Sequence, residues 1–211
     1  MALHSDLEYE AELQQLRAAL REVGEHAGNA LASSLKALTG VGMARGKAPR
    51  VSVAAISRAS HTIDRLCVRI LALRQPTASD LRFVVVALKA NLLFGRIAWL
   101  TQRIAARAKE DATLQSPEAI ADLAKQLQGA FDMAREALVE ENRSTATRMH
   151  SATRKVAALE RKLFGSLKGE TSHTTRVLDT IADIAEAADA LADLVPFLLG
   201  GKAASTRPNS W

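Results

Sequence analysis

Residues 77–109 read TASDLRFVVVALKANLLFGRIAWLTQRIAARAK, and this stretch decides the fold. Thr77 offers a helix cap with an acid, Asp80, three residues on, so the stretch predicts one long helix reaching about Lys109. Between Leu81 and Ala108 every charged residue is basic: Arg82, Lys89, Arg96, Arg103 and Arg107. At helical spacing these five fall within roughly 60° of arc. No acid on the same helix can neutralise them at i,i+4, and like charges so placed are mildly unfavourable. The ridge therefore needs solvent, an acidic helix nearby or an acidic partner. A solvated face with local ion pairs and an anion or partner site both satisfy that need.

Outward from this helix the punctuation is regular. Pro76 stops a preceding helix that runs from about Val51 to Arg74. Before it, about Ser5 to Leu38 places Leu13, Leu16, Leu20 and Val23 on one buried face, ending at the glycine-rich run from Gly40 to Pro49. Downstream, Ser116-Pro117-Glu118 is a start signal, and a fourth helix reaches about Asn142. A fifth ends near Gly165 to Gly169, and a sixth runs from about Ser172 to Leu199. The halves correspond: Thr62–Leu66 echoes Lys155–Leu159, and Ile97-Ala98-Trp99-Leu100 aligns with Ile181-Ala182-Asp183-Ile184. The expected fold is all-α, two tandem three-helix bundles, with repeats at 1–113 and 114–199 and a loose tail at 200–211.

Composition agrees. The chain has 211 residues, 48% hydrophobic and 24% charged, with 4% aromatic. Alanine and leucine supply about a third of the residues, which suits helices rather than a sandwich or barrel. The net charge of +5 permits contact with nucleic acid or membrane without demanding it. A single cysteine, Cys67, excludes an internal disulfide and any cysteine-rich zinc site. The start, MALHSDLEYE, has no apolar signal-peptide core, and Leu81–Leu93 carries Arg82 and Lys89, so a cytoplasmic protein is expected.

The sixth helix inverts the third. Asp179, Asp183, Glu186, Asp189 and Asp193 share an arc of roughly 120°, opposite Val177, Ile181, Ile184, Ala188 and Leu191. Asp179 and Asp183 are one turn apart, and such carboxylates repel unless a cation, a proton or a basic neighbour intervenes. A solvated face and a divalent-metal site both fit that spacing. Other chemistry falls away. There is no phosphate-binding glycine loop, no His-Glu-x-x-His and no nucleophile elbow, and only Glu170-Thr-Ser-His173 has the Glu-x-x-His spacing of di-iron bundles. Cys67 sits in an apolar pattern and reads as an inert core thiol. His61 with Asp64 reads as a capped or surface pair, and Phe94 and Trp99 read as core or interface packing. No enzyme active site emerges.

The segment Ile70-Leu-Ala-Leu-Arg-Gln75-Pro76-Thr-Ala-Ser-Asp80-Leu81-Arg82, continuing through Lys89 to Arg96-Ile97, resembles the PhoU family. Thr62–Leu66, Val156–Phe164 and Arg176–Asp183 support the resemblance in the second helix and the second half. It implies a non-catalytic, commonly dimeric cytoplasmic regulator of phosphate uptake and phosphate-starvation signalling. Such a protein would link the ATPase subunit of a phosphate ABC transporter to a sensor histidine kinase, keeping the response off when phosphate is plentiful. Membrane proximity would come through those partners, and no nucleic acid is expected.

The resemblance also implies metal clusters held by an acidic motif in each repeat. Here Gly95 and Trp99, preceded by Leu93, occupy the first motif and cannot ligate a hard cation. Asp179 and Asp183 keep the second, while Ala157 replaces a helix-five acid. The expectation is a divalent metal (iron, Mn, Mg or Zn) at Asp179 and Asp183 only, with Arg82, Lys89, Arg96, Arg103 and Arg107 as the partner-binding ridge. The alternative is a basic helical module for membrane surface or nucleic acid, without a role in phosphate control.

Overall fold

The computed structural model describes residues 2–40, 53–110, 117–167 and 173–200. Within them lie six helices: α1 (Ala2–Thr39), α2 (Val53–Leu73), α3 (Ala78–Arg107), α4 (Pro117–Val139), α5 (Arg143–Ser166) and α6 (His173–Leu198). The expected cap at Ser116, most of the Gly40–Pro49 loop, the 113/114 boundary and the tail after Gly200 lie outside the described residues.

Each half is a triangle of helices, α1–α2–α3 and α4–α5–α6. The halves meet through α3 on α6 and α1 on α4. Helices α1, α3, α6 and α4 therefore form a closed four-helix ring, with α2 seated on α1 and α3 and α5 on α4 and α6. The expected apolar faces are the ones buried: Leu13, Leu16, Leu20 and Val23 on α1, and Val177, Ile181, Ile184, Ala188 and Leu191 on α6. They belong to one continuous core that crosses from half to half. At its centre Phe94 of α3 meets Phe131 of α4 edge to face, with ring centroids 6.2 Å apart. Two glycines on α1 make room for them. A Cβ on Gly24 would stand 3.1 Å from the Phe94 ring, and one on Gly28 would stand 3.0 Å from the Phe131 ring. Sequence reading missed this notch, although two glycines one turn apart inside a helical pattern are its signal.

Two local expectations are corrected. Thr77 does precede α3, but its hydroxyl makes no bond to the helix backbone. It donates to Asp80 Oδ2 at 2.9 Å instead, and the Tyr9 hydroxyl of α1 donates to the same oxygen at 2.7 Å. Asn142 does not end α4. It caps α5, its side-chain oxygen accepting from the backbone of Ser144 and Thr145 at 3.0 and 3.1 Å, while Glu141 turns the chain at φ +52°. Of the two rings expected in core or interface packing, Phe94 is fully buried and Trp99 is 56% exposed.

An 18-residue window of α3 has a mean hydropathy of 1.7, enough by length and composition to cross a membrane. More than half of that window is buried inside the bundle, so its apolarity already serves the core.

Candidate functional site: the α3–α6 face

The basic helix α3 lies beside the acidic helix α6, and the two run antiparallel. The ends of the ridge are consumed by this packing. Arg82 Nε donates to the carbonyl of Leu198, 3.4 Å away near the end of α6. At the other end the Arg107 guanidinium donates to the Arg176 carbonyl and to Thr180 Oγ1. Burial lowers the pKa of Arg107, and the neighbouring Arg103 and Arg176 lower it further. Glu110, just past α3, accepts from His173 at 2.9 Å, which together with Arg176 holds its carboxyl below the ordinary range.

The middle of the ridge stays outward. Lys89, Arg96 and Arg103 are exposed, and among the described residues none of them has a carboxylate within ion-pair distance. Lys89 lies 5.6 Å above the Phe197 ring, and Arg103 stacks 5.1 Å over the Trp99 ring. Arg96 shares a cleft with Leu93, Asp183, Glu186, Ala187 and Ala190. Beside these cations α3 exposes Leu81, Leu92 (76%) and Trp99. The five-residue ridge is thus two structural arginines and three outward cations on a partly apolar helix face.

The acidic face divides as well. Asp179 is exposed and Asp183 half-buried. Burial raises the pKa of Glu160 on α5, and the nearby Asp179 raises it further. Sequence reading missed this acid because it looked for one at Ala157, one turn earlier. Ala157 instead lines a cleft with Thr153, Arg154, Ala182 and Glu186. Further along, Asp189 accepts from Thr153 at 2.6 Å and meets His150 Nδ1 at 2.9 Å, with Asp193 3.6 Å from Nε2 of the same ring.

A hard divalent ion takes about six oxygen-type ligands. Asp179 and Asp183 offer two carboxylates, and Arg96 already stands at the Asp183 cleft. Among the described residues no group of three or more His, Cys, Asp or Glu side chains is gathered for a metal. In the first repeat Gly95 and Trp99 offer no donor. This donor set does not fit a resident cluster. His61 is exposed, and its neighbour Asp64 is occupied by Asn91, whose Nδ2 donates to it at 3.0 Å. Cys67 is buried, and burial pushes its thiol up to about 12, which leaves it unreactive at neutral pH.

The residues around Gln75-Pro76 work as a clamp. Gln75 turns the chain at φ +42° between α2 and α3. Arg74 reaches back to α1, with Nε 3.0 Å from Glu12 and a terminal nitrogen 3.2 Å from Glu8. Arg69 adds a second contact to Glu12 at 2.6 Å. The hydrogen bond from Arg74 chiefly holds the Glu12 carboxyl below its ordinary value. With Asp80 fixed by Tyr9 and Arg82 by the end of α6, this segment ties α2, α1, α3 and α6 together.

A sequence model described as the PhoU domain matches residues 20–108, which contain the Arg69, Arg74, Asp80 and Arg82 side of that clamp. Over 105 residues the chain is 32% identical to the phosphate-specific transport system accessory protein PhoU homolog of Pseudomonas putida. It is 31% identical over the same length to the protein so named in Pseudomonas aeruginosa. These matches take in 50% of this chain but span only 41% and 43% of the two relatives' own lengths. Among solved structures, PhoU from Pseudomonas aeruginosa superposes with a TM-score of 0.80 at 24% identity, covering 91% of this chain and 99% of that one. The phosphate transport system regulatory protein PhoU from Streptococcus pneumoniae gives 0.67 at 20%, covering 95% and 99%. At these identities the structures speak to the fold. The PhoU domain signature therefore lies in residues 20–108, and the fold along nearly all the described length is that of the solved PhoU structures.

Proposed function

We propose that the protein is a non-catalytic, cytoplasmic accessory regulator of phosphate uptake and phosphate-starvation signalling. It would act as an adaptor between the ATPase subunit of a phosphate ABC transporter and a sensor histidine kinase, keeping the response off when phosphate is plentiful. The observation that carries this reading is the PhoU-domain match over residues 20–108, backed by the names of the relatives matched there. The outward cations Lys89, Arg96 and Arg103, flanked by Leu92 and Trp99, supply a docking surface for an acidic partner. Charged surfaces of this kind favour fast, reversible, salt-sensitive association. Regulation then works by population shift, the adaptor binding one state of the transporter or kinase better than another. No step in this scheme passes through a metal.

The test is affinity purification of the tagged full chain from phosphate-replete cells at low and moderate salt. Recovery of the transporter ATPase subunit or a sensor kinase, lost on changing Arg96→Glu and Arg103→Glu together with helicity retained, is the expected result. Recovery of nucleic acid or lipid alone would instead favour the basic-module alternative.

A further inference from the structure

Helix α2 carries a basic stripe of its own, on the side of α1. Arg58, Arg65 and Arg69 recur at spacings of seven and four, which puts them within about 40° of arc. All three are exposed. The acid beside them, Asp64, lies on the other side of the helix and accepts from Asn91 of α3 at 3.0 Å.

Alongside this stripe α1 and α2 leave a groove of about 350 Å³, lined by Gln15, Thr62, Arg65, Leu66 and Arg69. Small-molecule sites run from about 300 to 1,000 Å³, so the groove suits a small ligand. Leu66, half-buried and packed on the core, gives it an apolar wall. No carboxylate lines it. Glu8 and Glu12 line the adjoining compartment, where Arg74 and the Nε edge of Arg69 already answer their charge. Among the described residues Arg65 has no carboxylate within ion-pair distance, and Arg69 has only Glu12. Like charges one turn apart on a helix repel mildly. An anion between the two guanidinium groups therefore relieves a cost as well as adding bonds.

We propose that this groove binds hydrogen phosphate, held between Arg65 and the outer edge of Arg69. A guanidinium presents paired N–H groups that match two oxygens of one anion. The two oxygens of a carboxylate serve one such fork, whereas the four of a tetrahedral ion serve two at once. Thr62 and Gln15 then choose among tetrahedral ions. The Thr62 hydroxyl donates to the Arg58 carbonyl at 3.0 Å, which leaves its oxygen only the role of acceptor. Gln15 brings a second acceptor in its side-chain carbonyl, with an amide donor beside it. Hydrogen phosphate has an O–H to give to these oxygens, and sulfate has none. Arg58, two turns from Arg65, adds to the local positive potential and concentrates anions at the groove. The α3–α6 face takes no part, so the site does not rest on the docking reading above.

The experiment is calorimetric titration of inorganic phosphate into the purified full chain at pH 7.5, with ionic strength held constant by sodium chloride. Saturable one-site binding with a dissociation constant of about 1 mM or tighter is expected, with sulfate at least about 10-fold weaker. Arg65→Gln removes a fork that no ion pair in the fold uses, and is expected to weaken phosphate at least about 10-fold with full helicity. Thr62→Val is expected to keep binding but lose most of the preference over sulfate. Arg161→Gln, which removes an exposed charge from α5, should leave the affinity unchanged.

Absence of saturable binding up to ~10 mM phosphate overturns the proposal. Sulfate that binds as tightly as phosphate does the same. So does an Arg161→Gln chain that loses as much affinity as Arg65→Gln, because the response would then be to net charge. If Arg65→Gln loses helicity, Thr62→Val decides: an undiminished preference for phosphate overturns the assignment. Glycerol 3-phosphate, whose dianion lacks the P–O–H, separates the free ion from an ester, and tighter binding of the ester would overturn the free ion as ligand. Purified chain suffices for all of this, so its failure leaves the transporter reading standing, and a failed pull-down leaves the phosphate groove standing.

Discussion

Helices α3 and α6 occupy equivalent places in the two halves, and their surfaces are opposites. Gly95 and Trp99 stand on α3 where Asp179 and Asp183 stand on α6. The inward residues at the same turns, Ile97 and Leu100 against Ile181 and Ile184, are apolar and buried in both. The inversion recurs in the ties between helices. In the first half the buried acid Glu12 of α1 is held by Arg69 of α2 and by Arg74 just past its end. In the second half His150 of α5 stands between Asp189 and Asp193 of α6. The two halves therefore share the inward apolar pattern that builds the bundle, while their outward charges have opposite sign. Opposite signs on adjacent helices do not repel, which removes one cost of docking the halves.

The comparison can be broken first at the seam. Phe131→Ala opens a cavity beneath Gly28 and beside Phe94, and is expected to cost about 3–5 kcal/mol in urea unfolding. Because the core is continuous, both halves should then unfold together at lower denaturant. A variant whose second half melts alone would show that the halves are energetically separate.

Charge reversal at Arg96 and Arg103 probes the outward difference. It is expected to abolish partner capture while leaving the far-ultraviolet circular dichroism unchanged, because neither side chain is buried. A loss of helicity would mean that the ridge supports the fold rather than recognition.

Glu12→Gln tests the first-half tie. With Arg69 exposed and solvent-screened, the expected loss is about 1 kcal/mol at neutral pH. The depressed Glu12 carboxyl contributes stability that is present above its ordinary value of 4.5 and lost as pH falls through the lowered one. Thermal melts should thus show the wild-type advantage at pH 7 shrinking as the solution is acidified from 4.5 through the lowered value at which Glu12 becomes protonated. An advantage that holds at low pH would remove the ion pair as its source.

The smallest effect is expected at Trp99→Ala. Its exposed ring should change stability by less than about 0.5 kcal/mol. A larger loss in the monomer would show that the ring packs within the chain.

Much of this was legible in the residues. The spacing of Leu13, Leu16, Leu20 and Val23 announces a buried face, as does that of Val177, Ile181, Ile184, Ala188 and Leu191. Helical periodicity is local and survives any tertiary arrangement that covers the face. The Gln75-Pro76 run was legible as a family resemblance, but its clamp was not, because Glu8, Tyr9 and Glu12 lie some sixty or seventy residues away in the chain. The role of Asn142 was lost because a helix end and the next helix's cap can look alike when one short turn separates them.

The sequence by itself determined six helices, their inward faces, and two charge stripes of opposite sign. Those properties follow from the order of side chains along a helix of fixed pitch. The tertiary structure decided that the stripes lie side by side, that Arg82 and Arg107 are spent on the α6 backbone, and that Lys89, Arg96 and Arg103 remain outward. Periodicity names the face of a helix on which a residue sits, whereas the neighbour across that face is set by how distant segments pack.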